Sequence, residues 1–297
     1  MAKDDGNFWS RWQTMFILFI VIIALVISGA YTSYALLSSP QSGLETEAHV
    51  NIDDTVSVDY IGMFEDGTVF DTSIRTVAEN DTLYPKSLSF APKETYSPLN
   101  FTVGASQMIA GFDNGVIGMV INQTKTLVVP PEQGYGSPDE SLIIEKSLRL
   151  SVPVFEWIGN STEFSNMYMI SPSVGTNVKN IQYGWNMTVF HIDPISGAVM
   201  VKNNPFMGEV ITVREGWNSR VISIDTSSNM GAGEIVFEHL LSASNVKSAM
   251  YTDSMGNQFI ITEVNKVSGT YTVDYNREVV GKTLIFKVTL LSLTAKD

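Results

Sequence analysis

Cysteine and histidine, the side chains most used for thiol chemistry and transition-metal binding, are scarce in this chain. It has no cysteine, which removes thiol catalysis, thiolate metal sites and disulfide frameworks. Its three histidines, His49, His191 and His239, stand far apart with no metal-ligand spacing, which argues against a metal site. What the chain does carry is one dense stretch from Pro98 to Gly136, PLNFTVGASQMIAGFDNGVIGMVINQTKTLVVPPEQGYG. Within it Tyr135 lies between two glycines, where a large side chain usually packs against or binds something. No catalytic triad accompanies it.

The elements that must position this stretch can be read from its periodicity. A strand-like run, Leu99 to Val103, stops at Gly104. Met108 and Ile109 lead into a helical pattern over Ala110 to Met119, with Phe112, Val116 and Met119 on one face. A second strand, Thr124 to Val129, ends at Pro130-Pro131 and a turn closed by Gly134-Tyr135-Gly136. Upstream, Val56 to Phe70 reads as a hairpin turned at Glu65-Asp66-Gly67, since Asp-Gly is a strong hairpin signal.

Composition narrows the function classes. The 297 residues allow one large or two ordinary domains, and 44% apolar content is ample for a core. The formal charge of −13 leaves no basic stripe to neutralise phosphates, so a nucleic-acid partner is not expected.

The four pieces VSVDYIGMFEDGTVFDTS, PLNFTVGASQMIAGFDNGVIGM, TLVVPPEQGYG and LIFKVTLLSL occur in this order, with glycines at Gly62, Gly67, Gly104, Gly111, Gly118 and Gly136. Together they resemble the FKBP-type peptidyl-prolyl cis-trans isomerases. The resemblance implies an α+β fold, an antiparallel sheet wrapped on a short helix. It also implies isomerisation of X-Pro bonds without a cofactor, acting on unfolded or proline-containing polypeptides. Rotation about an X-Pro bond crosses about 18–20 kcal/mol and needs no nucleophile, metal or redox group. A dry aromatic bowl lowers that barrier by preferring the twisted amide over either planar form.

By this resemblance Tyr60, Phe70, Met108, Ile109, Phe112, Tyr135 and Phe286 line the bowl, with Leu99 and Phe101 beside it as substrate contacts. Phe112 forms the floor, where many relatives carry Trp, and Leu99 replaces an aromatic found in many of them. The Ile109 N–H and the Tyr135 hydroxyl each bind a substrate carbonyl, and Asp71 sits at the edge, orienting the side-chain network or polarising the amide. Taken singly, strand aromatics such as Phe70 and Phe286 also read as core, and Asp71 as a turn cap.

Between Gly136 and a last strand at Thr283 to Leu293 lies a long β-rich segment with alternating runs at Met187–Ile192, Gly197–Val201 and Gln258–Val264. Ser196-Gly197-Ala198-Val199-Met200-Val201 recurs about 72 residues later as Ser268-Gly269-Thr270-Tyr271-Thr272-Val273, which suggests two repeated β units. Insertion here resembles SlyD-type members, including archaeal long forms, whose insert-in-flap domain acts as a chaperone. Asn276 to Phe286 resembles the family's return into the barrel, although the insert is nearly twice the usual size and no metal-binding tail follows. The boundaries expected are 52–145 plus 281–297 for the isomerase domain and 146–280 for the insert. Candidate client contacts in the insert are Phe155, Trp157, Phe164, Met167, Tyr168 and Met169, since Met and aromatics suit adaptable surfaces.

The N-terminus predicts a membrane anchor. No charged residue occurs from Gln13 to Leu44, and this exceeds the roughly 20 residues needed to span a bilayer. Trp9, Trp12, Tyr31 and Tyr34 flank the apolar run. Lys3 and Arg11 precede it and no Lys or Arg follows until Arg75, which places 1–12 in the cytoplasm, a helix at 13–37, a flexible stem at 38–51 and the rest outside. A cleaved signal peptide ending near Ser28-Gly29-Ala30 is the alternative. Five Asn-x-Ser/Thr sites, at Asn80, Asn100, Asn122, Asn160 and Asn186, accord with export. Two other functions stay open: a non-catalytic holdase on the same barrel, and a structural cell-envelope protein.

Overall fold

In the computed structural model, residues 48–296 are described. The expected cytoplasmic stretch 1–12, the membrane-spanning helix 13–37 and most of the stem lie outside them. No helix among the described residues is long and apolar enough to cross a membrane. The end of the expected stem is packed rather than free. Val50 is 1% exposed, its N–H donates to Met119 O at 2.9 Å and its carbonyl accepts from Gly118 N.

Along the chain the strands are β1 (Thr55–Met63), β2 (Val69–Thr72), β3 (Leu99–Thr102), β4 (Thr124–Val129), β5 (Ile143–Ser147), β6 (Arg149–Val152), β7 (Phe155–Asn160), β8 (Asn177–Lys179) and β9 (Asn186–Ile192). They continue as β10 (Ala198–Asn203), β11 (Val210–Thr212), β12 (Asn218–Asp225), β13 (Glu234–His239), β14 (Tyr251–Thr252), β15 (Gln258–Asn265), β16 (Thr270–Asp274) and β17 (Leu284–Thr294). Among the described residues three short α-helices, α1 (Arg75–Ala78), α2 (Ala110–Gly115) and α3 (Ser161–Tyr168), interrupt them.

The first sheet is antiparallel, with order β2-β1-β17-β4 and β3 paired to the start of β1. The long β1 is its spine: Thr55–Val58 hold β3, Ile61–Met63 hold β2, and the whole strand holds β17. Along β17 Leu284, Phe286, Val288 and Leu290 alternate inward, the two-residue period of a half-buried strand. Helix α2 lies on this face. Two glycines one turn apart let it approach: a Cβ on Gly111 would sit 2.5 Å from Val129 Cγ1, and one on Gly115 2.5 Å from Leu127 Cδ1. The helix stops at Gly115, short of the expected Met119. Phe112, Val116 and Met119 are all buried nonetheless, because the turn after the helix carries the same face inward.

The insert begins with β5 at Ile143, three residues before the expected boundary, while Val279 packs into the first sheet's core. It comprises three four-stranded antiparallel sheets, β8-β9-β10-β7, β11-β12-β13-β6 and β14-β15-β16-β5. Each is a run of three consecutive strands plus one strand from the entering chain, taken in reverse order. The periodicity read from sequence predicts two repeated units, and the fold contains a third between them. Its β12–β13 connection is longer and lacks the Ser-Gly turn, which hid it. The signal was present elsewhere, as Gly184-Trp185-Asn186 and Gly216-Trp217-Asn218, each leading into the middle strand of its sheet. The matched turns share one mechanism: Asp193 Oδ1 accepts from the N–H groups of Ile195 and Ser196, and Asn265 Oδ1 from those of Val267 and Ser268.

Candidate active site

Four aromatic rings build the floor of a pocket of about 440 Å³ at the face of the first sheet. Phe112, from α2, meets Phe286 of β17 at 5.0 Å and Tyr60 of β1 at 6.0 Å, both edge to face. Phe70 of β2 meets Phe286 at 5.6 Å, also edge to face. Such packing is worth about 0.5–1.5 kcal/mol per pair beyond area burial, and it fixes the rings against one another. Phe112, Phe286 and Tyr60 are buried below their rims, so the floor is dry. Leu99, Met108 and Ile109 form the sides, and Tyr135 leans in half-exposed from the Gly134–Gly136 turn.

Ile109 stands in extended conformation immediately before α2, its carbonyl accepting from the N–H groups of Phe112 and Asp113. Its own N–H precedes the helix's internal hydrogen bonds and is oriented by the helix start. The helix entry is held from beneath: both carboxylate oxygens of Asp113 accept from Gly104 N, at 3.0 and 3.1 Å.

One polar network crosses the wall. The Tyr60 hydroxyl donates to Asp71 Oδ2 at 2.6 Å, and Thr72 N donates to Asp71 Oδ1 at 2.8 Å. Lys93 Nζ lies 2.6 Å from Asp71 Oδ1, 3.2 Å from the Tyr60 oxygen and 3.0 Å from Thr72 O. Burial, and then the hydrogen bond to the Asp71 carboxylate, push the Tyr60 phenol well above its ordinary value, so it stays a donor. Asp71 therefore spends its lone pairs within the network.

Of the residues expected at the bowl, Tyr60, Phe70, Asp71, Leu99, Met108, Ile109, Phe112, Tyr135 and Phe286 converge on this pocket. Phe101 does not. It is 3% exposed, with its ring 5.8 Å from that of Phe112, so it supports the floor from beneath. Two residues were missed: Gln107, which lines the mouth, and Lys93. Lys93 comes from the long segment between β2 and β3, and nothing in its surroundings in sequence marks it. In the insert, Trp157, Met167 and Met169 are exposed, and Phe155 is half-buried against Phe190. Phe164 is fully buried, with the Tyr168 ring tilted against it at 4.7 Å, which makes Phe164 core and removes it from the candidate surface.

Comparison with known proteins agrees with this geometry. The sequence model of the FKBP-type peptidyl-prolyl cis-trans isomerases matches residues 46–151. FK506-binding protein 2 of Yarrowia lipolytica is 30% identical over 147 residues, 44% of this chain and 89% of that protein. This chain belongs to the FKBP-type peptidyl-prolyl cis-trans isomerases. A short-type peptidyl-prolyl cis-trans isomerase of Methanocaldococcus jannaschii is 46% identical over 92 residues, 31% of this chain and 54% of that protein. FK506-binding protein 2 of Kluyveromyces lactis is 36% identical over 104 residues, 32% of this chain and 61% of that protein. The chain thus spans about half of the Methanocaldococcus relative. In this FKBP-type domain the matched segment runs from residue 46, ahead of β1, to Ser151 within β6 and includes every pocket residue except Phe286.

Proposed function

We propose that this chain catalyses cis-trans isomerisation of X-Pro bonds in polypeptides, with the ring-floored pocket as its active site. The observation that carries the reading is the floor itself: mutually packed rings whose one polar atom, the Tyr60 hydroxyl, is taken up by Asp71 at the wall. A planar amide is a strong dipole, and a twisted amide, its conjugation lost, is less so. A dry aromatic floor therefore favours the twisted form, and the difference acts on the barrier. The Ile109 N–H and Tyr135 hydroxyl hold the flanking carbonyls, while Tyr60, Asp71 and Lys93 keep the wall rigid.

The same reading places the protein at a membrane. The charge-free run from Gln13 to Leu44, with Lys3 and Arg11 before it, supports an N-terminal anchor and an extracytoplasmic barrel. The insert serves as a chaperone element of the SlyD-like kind, and its exposed Trp157, Met167 and Met169 support that role.

The test is a proline-limited refolding reaction followed with and without the full-length chain. Acceleration that disappears when the floor is filled or removed at Phe112, in a folded variant, supports the reading. Suppressed aggregation without acceleration replaces it with a holdase. Carbonate extraction and protease protection of membranes from producing cells decide the anchor and its orientation.

A further inference from the structure

The bowl is open on one side. Its rim residues Phe70, Asp71 and Tyr135 also wall a second cleft of about 430 Å³, closed by Pro92 and Lys93 and by Tyr275 to Val279 at the end of the insert. The charges in this cleft are almost all committed. Asp71 and Lys93 neutralise each other at 2.6 Å. Glu278 accepts from Ser89 N at 2.8 Å and faces Lys282 at 3.6 Å. Arg277 differs. Among the described residues its side chain makes no ion pair and no hydrogen bond, and its guanidinium lies 5.0 Å from the centre of the Tyr135 ring.

Stacking on an aromatic ring occupies one face of a guanidinium and leaves the N–H groups at its edge free. Those donors match a carboxylate. The contact with the ring restrains the side chain, so less freedom is lost when a partner arrives. Because Tyr135 belongs to both bowl and cleft, a chain whose proline occupies the bowl reaches Arg277 two or three residues away, at roughly 3.3–3.6 Å per residue. The chain's net charge is −13, so this cation is a local exception rather than part of a general attraction for anions.

We propose that Arg277 is a specificity residue that selects polypeptide segments with Asp or Glu close to the target proline. The inference rests on the isomerase reading of the bowl. An exposed pair of this kind is worth about two- to five-fold in preference, and it weakens as salt screens it.

The experiment uses the full-length chain and a set of peptides with one X-Pro bond. Glu, Gln or Lys is placed in turn at each of the three positions on either side. Isomerisation is read by exchange NMR and binding by fluorescence anisotropy. Glu should exceed Lys about two- to five-fold at one position, less so at high salt. The preference should vanish in Arg277→Gln, reverse in Arg277→Glu and survive in part in Arg277→Lys. A preference that Arg277→Glu retains, or none in either readout, overturns the proposal. A chain that binds every peptide and isomerises none defeats the isomerase reading alone, and the anisotropy ratios still decide Arg277.

Discussion

Lys93 Nζ sits 2.6 Å from Asp71 Oδ1 while the other oxygen of that carboxylate takes the Tyr60 hydroxyl at 2.6 Å. The long segment after β2 thus reaches back and pins the wall of the pocket through a single lysine. Both side chains of the pair are about two-fifths exposed, so it contributes at most about 1 kcal/mol to folding. Its consequence is positional.

Lys93→Met and Asp71→Asn should therefore lower kcat by about ten- to a hundred-fold through a displaced Tyr60, with melting temperatures nearly unchanged. Steady-state isomerase assays beside thermal melts check this. Parallel losses of activity and stability would make the pair structural.

Tyr135→Phe removes one hydroxyl from a half-exposed ring. A lost hydrogen bond of about 0.5–1.5 kcal/mol predicts a two- to twelve-fold fall in kcat/KM. Unfolding by urea should be unaltered, since the ring packing stays.

Gly111→Ala places a Cβ 2.5 Å from Val129 Cγ1 and forces α2 off the sheet. The expected cost is about 1–3 kcal/mol, with activity reduced because Phe112 moves with the helix. Trimming the opposing side chain in Gly111→Ala/Val129→Ala should recover part of both, which a double-mutant cycle measures.

His239 supplies a pH prediction for the insert. It is 3% exposed, its Nδ1 lies 2.7 Å from Ser219 Oγ, and burial, then the Lys146 charge, lower its pKa to about 4. With the folded value depressed below the ordinary 6.5, the unfolded chain binds the extra proton between those limits. Stability is full above about pH 6.5 and falls toward pH 4, by about 3 kcal/mol in all. Melts at stepped pH should show this slope, and His239→Gln should flatten it.

Much of the first sheet was legible because its signals are local. The Asp66-Gly67 turn, the stop at Gly104, the run Thr124–Val129 and the Gly-Tyr-Gly turn each depend on neighbours in sequence, and β4 occupies the expected residues. Family resemblance then identified most of the pocket lining. It missed Lys93, whose partners Asp71 and Tyr60 lie 22 and 33 residues away and meet it only through the fold. Phe101 and Phe112 look alike in sequence. Only packing puts one ring under the other and removes Phe101 from the pocket.

The insert divides the same way. Alternation of apolar residues determined that it is β-rich, since a half-buried strand must alternate wherever it pairs. It could not determine that β5, β6 and β7 each join a different sheet, because pairing partners that lie from 38 residues (Asn160 with Ala198) to 131 residues (Ile143 with Asp274) away leave no local trace. By itself, then, the sequence determined the main strands of the first sheet, their turns and the start of the short helix. Tertiary structure decided which rings face the pocket, which lysine steadies its wall, and that Arg277 from the end of the insert stands over Tyr135 of the barrel. The reason is physical. Turns and periodicities are paid for locally, whereas a site is made of side chains that only chain closure brings within a few ångströms.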